Sequence, residues 1–270
     1  MNTIFLIQLV TSFIVGGGAI ALLSFLAERV HSRIAGIILA FPTTVALGFF
    51  FLGWAVSPQT AADVVPATLI PLGLSMVFAA IYPYIGELAA RSIRNKIGQI
   101  SISYVLSMGI WLAAAISMVI FQINNLIIGV VGYLSLIALA HLLLYRKKYE
   151  KPITLTYSLS QKLGRAAFAG LILVLVVFLG KTVNPFWGGI LAMFPAAFSS
   201  VIMIFHYYYG PKSIFPTLRK VGLGSLSMFA YALTVMLVFP VFGFIVGTLL
   251  AYGVSVVVTL ILIKFHQYEN

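Results

Sequence analysis

The sequence predicts an all-α, polytopic membrane protein of nine transmembrane helices, laid out as a 4+1+4 inverted-topology repeat. Three observations predict it. The chain is 62% hydrophobic and 8% charged, with a mean hydropathy of +1.12, so its 270 residues carry too little polar surface to coat a water-soluble globule. Its cations gather in alternate connections between apolar runs. The residues around Pro42 recur 153 positions later around Pro195.

A bilayer core takes about 20 helical residues to cross. Apolar runs near that length, divided by charged or turn-forming breaks, are expected at Ile4–Leu26, Ile34–Val56, Ala67–Ile85, Ile100–Phe121, Leu126–Tyr145, Ala166–Gly180, Phe186–Tyr209, Val221–Phe239 and Val241–Ile263. The last two are expected to form a hairpin through Phe239-Pro240-Val241, because proline resists a helix interior and the joined run exceeds one crossing. Met1-Asn2-Thr3-Ile4 lacks a basic n-region, so the first run is read as a span and not as a cleaved signal.

Orientation follows from the Lys and Arg residues. With the N-terminus outside, Arg29, Arg33, Arg91, Arg94, Lys96, Arg146, Lys147, Lys148, Lys151, Lys162, Arg165, Lys212, Arg219, Lys220 and Lys264 fall in cytoplasmic connections, and Lys181 alone falls outside. The net charge of +11 is thereby assigned to topology, and nucleic acid is not an expected partner. With no cysteine, disulfides, thiolate metal sites and cysteine nucleophiles are excluded.

At the offset of 153, Gly17 pairs with Gly170, Leu22 with Leu175, Phe25-Leu26 with Phe178-Leu179, Val30 with Val183, Gly36-Ile37 with Gly189-Ile190, and Pro58 with Pro211. One deleted residue later, Leu74-Ser75-Met76 meets Leu226-Ser227-Met228. Residues 1–122 are read as the first four-helix unit, 123–162 as a linking span with a basic cytoplasmic loop, and 163–270 as the second unit. The single linking span inverts the second copy, as in secondary transporters.

Pro42 and Pro195 fall near the middle of their spans, where each removes a backbone hydrogen bond, to Ile38 or Leu191. The outcome is either a packing kink or a pair of discontinuous helices crossing at the midplane. On the second reading Phe41, Pro42, Thr43, Thr44, Phe194, Pro195, Ser199 and Ser200 form a substrate site, whose half-helix termini would accept either sign of charge. All five carboxylates, Glu28, Asp63, Glu87, Glu150 and Glu269, fall at span ends or in loops, which disfavours a cation antiporter. Glu28 and Lys181, paired by the repeat at opposite surfaces, are gate or vestibule candidates. His141 and His206 have no partner at metal-ligand spacing and read as interfacial or packed side chains. Gly16-Gly17-Gly18 reads as a close helix approach. Trp54, Trp187 and Tyr207-Tyr208-Tyr209 read as interface aromatics.

Lys181-Thr182, Gly188-Gly189-Ile190, Phe194-Pro195-Ala196-Ala197-Phe198 and His206-Tyr207-Tyr208-Tyr209-Gly210 resemble the small bacterial inner-membrane GlpM family of four-span proteins. The first copy is fainter: Gly36 and Phe41-Pro42-Thr43 match, but Glu28 replaces the lysine and Gly53-Trp54 stands where His-Tyr would be. The resemblance implies two fused GlpM-like units in opposite orientation and names no substrate.

The function expected from these residues is a secondary transporter or facilitator in the cytoplasmic membrane for a small neutral or anionic solute. A non-transporting scaffold subunit of an envelope or lipid-processing complex, and a passive channel, are the alternatives. No nucleophile-base set, metal site or cofactor motif is found, so no enzyme is expected. The expected partners are the bilayer and the solute, and a homo-oligomer is left open.

Overall fold

A computed structural model describes residues 2–29, 42–145, 158–218 and 221–267. The expected span at Ile34–Val56 is therefore seen only from Pro42 onward, and Phe41 lies outside the described residues.

Among the described residues the chain is helical, without strands. In order come α1 (Thr3–Arg29), α2 (Thr43–Ala55), α3 (Pro58–Asp63), α4 (Val65–Ser92), α5 (Lys96–Ile120), α6 (Leu126–Tyr145), α7 (Leu159–Thr182), α8 (Pro185–Ala192), α9 (Ala196–Tyr209), a 3-10 turn (Pro211–Ser213), α10 (Ile214–Leu218) and α11 (Val221–Gln267). Six of the described helices are long and apolar enough to cross a membrane: α1, α4, α5, α6, α7 and α11. Leu106, Ile127, Leu142, Leu249 and many other large apolar side chains are exposed. Such a surface suits hydrocarbon and not water.

The helix starts follow local chemistry. Ser57, Asn95, Ser158 and Asn184 each accept a backbone N–H from the first turn that follows. At Ser158 the cap is reciprocal, since Gln161 reaches back to the Ser158 N–H. That box starts α7 seven residues before the expected span at Ala166, so Lys162 and Arg165 lie inside a helix, not in a loop. The expected unit boundary at 163 also falls within α7.

The last two expected spans form one helical run that doubles back. Tyr231 and Tyr252 would be roughly 30 Å apart on a straight helix, yet their ring centroids are 5.3 Å apart. The reversal is not at Pro240, which stays helical, but three residues later at Gly243, with φ 70° and ψ 177°. Glycine alone takes that backbone without strain.

Two packings organise the rest. Helices α1 and α7 lie antiparallel, with Phe5 stacked on Phe178 at one end and Lys162 Nζ over the Phe25 ring at the other. Between them the contacts are reciprocal. A Cβ on Gly17 would sit 2.9 Å from the Ala166 carbonyl oxygen, and one on Gly170 would sit 2.8 Å from that of Phe13. Gly17 and Gly170 correspond at the 153 offset, and so do Phe13 and Ala166. Gly16 also meets α7, at Leu173, whereas Gly18 faces open space. The most buried long helix, α4, runs parallel to α6, with Gly73 against Leu136 and Gly129 against the Pro66 carbonyl. The short elements cross over: α3 packs on α11, while the 3-10 turn and α10 pack on α4.

These contacts sort the described side chains into two ends. Phe5, Gln8, Trp54 and Lys181 share one end. Phe25, Gly86, Lys96, Lys162 and the α9 C-terminus share the other.

Candidate functional site

The chain around Pro195 is a true break. Asn184 and Pro185 start α8, and Gly188 and Gly189 let it settle between α7, α2 and α4. At its end the Met193 and Phe194 amides bond three residues back, to Ile190 and Leu191, tightening the last turn. Pro195 then takes φ −77° and ψ 48°, and the Ala196 N–H donates to the Phe194 carbonyl at 2.7 Å. This is an inverse γ-turn. It ends one helix and begins the next, and the Leu191 carbonyl that Pro195 cannot serve is taken by Phe194.

The exposed carbonyl at the break has a dedicated partner. Met193 O accepts from Ser75 Oγ of α4 at 2.6 Å, and Trp111 Nε1 of α5 donates to Ser75 Oγ at 2.9 Å. Ser75 Oγ also lies 3.0 Å from Pro71 O, so one hydroxyl proton is shared between two carbonyls. Phe194 wedges edge-on between Trp111 and Phe168.

Pro42 has the same conformation, φ −75° and ψ 47°, and again begins a helix without a side-chain cap. The first amide after each turn matches too: Ala46 N–H to Pro42 O at 2.7 Å and Ser199 N–H to Pro195 O at 2.8 Å. A Cβ on Gly48 would meet Ala192, and the side chain of Leu52 meets Gly188, so α2 runs antiparallel to α8. Carried on by three residues, about 4.5 Å of rise, this register brings Val45 level with Pro195. Thr43 and Thr44 are half-buried on the first turn of α2.

One cation joins this region. Arg165 is 7% exposed, and its Nε donates to Ser200 Oγ at 3.2 Å; Lys162, equally withdrawn, stays at the end marked by Phe25. Ser199 is fully buried, and its Oγ, beside the Tyr104 hydroxyl of α5, has no hydrogen-bond partner among the described residues. The first turns of α9 thus offer a helix N-terminus, two hydroxyls and an adjacent guanidinium. Sequence reasoning spent Lys162 and Arg165 on topology. The signal that would have placed them was the Ser158-to-Gln161 box, followed by Lys162, Arg165, Ala166, Ala169 and Gly170 on one helical face.

The expected gate residues are not brought together. Lys181 Nζ donates to Gln8 Oε1 at 2.7 Å and lies over the Phe5 ring, and Gln8 Nε2 donates to the Trp54 carbonyl, tying α7, α1 and α2 at one end. Glu28 lies in the last turn of α1 at the opposite end, and its side chain is outside the described residues. There, Gln161 Nε2 donates to Tyr208 Oη at 3.3 Å. Gln8 and Gln161 correspond at the 153 offset. His141 lies against Tyr145, and His206 is packed out of solvent altogether.

Comparison with family models, with curated proteins and with solved structures returns no match.

Proposed function

We propose that the chain is a secondary carrier or facilitator that moves a small anionic solute through the region between the two proline breaks. The observation that carries the reading is Arg165, withdrawn from solvent and hydrogen-bonded to Ser200 in the second turn of a helix that begins inside the fold. An arginine at intramembrane depth is costly and marks a substrate path more often than a packing device. Beside a helix N-terminus it selects an anion from the neutral and anionic solutes left open by sequence.

The architecture proposed with it is nine spans in a 4+1+4 inverted repeat, N-terminus outside and C-terminus cytoplasmic. The antiparallel α1–α7 seam, its reciprocal glycine contacts and the matched Pro42 and Pro195 dihedrals support the inversion. The described cations support the orientation, because Lys181 stands apart from Lys96 and Lys162. On this reading the Lys181–Gln8–Trp54 tie closes one side and the Gln161–Tyr208 contact the other, and rocking about the α1–α7 seam opens them in turn. The GlpM-like motifs fit two fused units and add no substrate.

One observation favours a scaffold: Phe194 fills the break against Trp111 and Phe168. Reconstitution separates the two. A carrier gives saturable uptake and counterflow of labelled phosphate, sulfate or a short carboxylate, reduced at least tenfold by Arg165→Gln. A scaffold leaves liposomes impermeable to all three. Cysteines placed at Thr43, Thr44, Ser199 and Ser200 supply the structural arm, since a central site makes at least one reactive to water-soluble thiol reagents.

A further inference from the structure

His206 is the one histidine of four whose ring is described as fully buried; His141 is half-buried, and His31 and His266 lie outside the described side chains. It sits in the last turn of α9, the helix that begins at the Pro195 break, and both ring nitrogens are engaged. Nδ1 is 3.1 Å from Tyr82 Oη and Nε2 is 3.4 Å from Gln99 Oε1. Gln99 spends its amide nitrogen on the Ile93 carbonyl, at 2.6 Å. Its oxygen therefore faces the ring, which requires Nε2–H, and Nδ1 must accept the Tyr82 hydroxyl proton. The imidazole is neutral in this arrangement, with its tautomer fixed from both sides.

The surroundings make His206 more than a packed ring. Tyr82 is fully buried in α4, and Tyr104 of α5 lies within electrostatic reach of it. Tyr104 in turn faces Ser199, whose buried Oγ has no hydrogen-bond partner among the described residues. Ser199 and His206 are seven residues apart on one helix, or about 10.5 Å of rise. The polar groups Gln99, His206, Tyr82, Tyr104 and Ser199 thus form a file from the cationic end to the break, set among Phe78, Ile202 and Phe205. Among the described residues, charged groups lie at the outer side of the ring. Lys96 of α5 holds the Tyr207 carbonyl, while Glu87 and Arg91 of α4 and Lys212 of the 3-10 turn line a cleft of about 560 Å³ beyond Pro211.

We propose that His206 is the proton-binding site that couples solute movement to protons. Protonation adds one proton to Nδ1, turns the Tyr82 hydroxyl from donor to acceptor, and leaves Nε2–H on Gln99 in place, so no contact need break. The imidazolium then raises the positive potential along α9, and an anion at Ser199, Ser200 and Arg165 and a proton at His206 favour each other's binding reciprocally. This rests on the anion-carrier reading, which it deepens from facilitator to proton-coupled symporter.

Two measurements test it on the full-length protein. The first needs no solute: nitrogen NMR of histidine-labelled protein, with His206→Gln to assign the signal. The expected ring starts as the Nε2–H tautomer and becomes imidazolium as the pH is lowered through the range in which the protein stays folded. Tyr82→Phe, which keeps the packing and removes the donor to Nδ1, shifts that transition by at least half a pH unit. Arg165→Gln moves it to higher pH by lifting like-charge repulsion. A ring that stays neutral throughout overturns the proposal.

The second measurement is the internal pH of proteoliposomes during uptake of labelled phosphate or sulfate. Wild type acidifies the lumen as anion enters; His206→Gln loses proton movement at least tenfold, and the anion entry that remains is slower and no longer stimulated by external acid. Anion entry without proton movement in wild type overturns the coupling alone. A titrating His206 without entry of either anion overturns the carrier reading and symport with it, but leaves His206 as a proton-binding group.

Discussion

Alanine substitutions along the α1–α7 seam should change sign from one glycine to the next. At Gly17 the new Cβ lies 2.9 Å from the Ala166 carbonyl oxygen, and at Gly170 it lies 2.8 Å from the Phe13 carbonyl oxygen. Both obstacles are backbone and cannot swing aside, so the helices must part by about half an ångström to reach ordinary contact. Overpacking of this kind costs about 1–3 kcal/mol, against a gain of about 0.8–1 kcal/mol from replacing glycine in a helix. The net is a loss of about 1 kcal/mol for Gly17→Ala and a similar loss for Gly170→Ala. At Gly18 and Gly164 no atom of the described residues lies within 4 Å of the added carbon, so only the helical gain remains.

In detergent, followed by far-UV circular dichroism, about 2–4 °C per kcal/mol lowers the Tm of the first pair by a few degrees. It raises the second pair by up to a similar amount. The Gly17→Ala/Gly170→Ala double variant should lose less than the sum, because either change alone already parts the same seam. Equal shifts of one sign at Gly17 and Gly18 would refute the packing argument, and strict additivity would refute the shared seam.

Three further outcomes follow from other contacts. Ser75→Ala leaves Met193 O and Trp111 Nε1 without their shared hydroxyl and should cost about 1–3 kcal/mol in detergent unfolding; Ser117→Ala, an exposed hydroxyl bonded within its own helix, should stay within about 0.5 kcal/mol. Gly243→Ala forces a side chain into φ 70° and should lose about 1–2 kcal/mol, whereas Pro240→Ala, inside the helical part, should be neutral or stabilising, measured the same way. Gln8→Leu removes both the Lys181 and Trp54 contacts; the thiol reactivity of a cysteine at Lys181 should rise several-fold in that background, and an unchanged rate would show that Gln8 does not hold this end closed.

The helical class, the apolar runs at Ile4–Leu26, Ile100–Phe121 and Leu126–Tyr145, and a disturbed backbone at Pro42 and Pro195 were legible without coordinates. Each depends on local chemistry: side-chain transfer free energy over some twenty residues, or one missing N–H. The repeat placed Pro42 and Pro195 in register, but register alone left a kink and a break equally open. At Pro195 the backbone decided for a break, because the Phe194 and Ala196 amides found partners that a continuous helix would not use; the residues before Pro42 lie outside the described ones.

Other features depended on which faces the helices turn to one another. The Ser158–Gln161 box puts Arg165 in a helix, but nothing local buries it; it is buried because the small residues Ala166 and Gly170 seat α7 close to its neighbours and carry the guanidinium inward. Likewise His206 became an enclosed, doubly bonded group only when α4 supplied Tyr82 and α5 supplied Gln99. The sequence alone determined which stretches are apolar enough to span lipid and where proline disturbs the backbone, since those are properties of short stretches. Only the tertiary structure decided which polar groups are shut inside, because burial is conferred by neighbours distant in the chain.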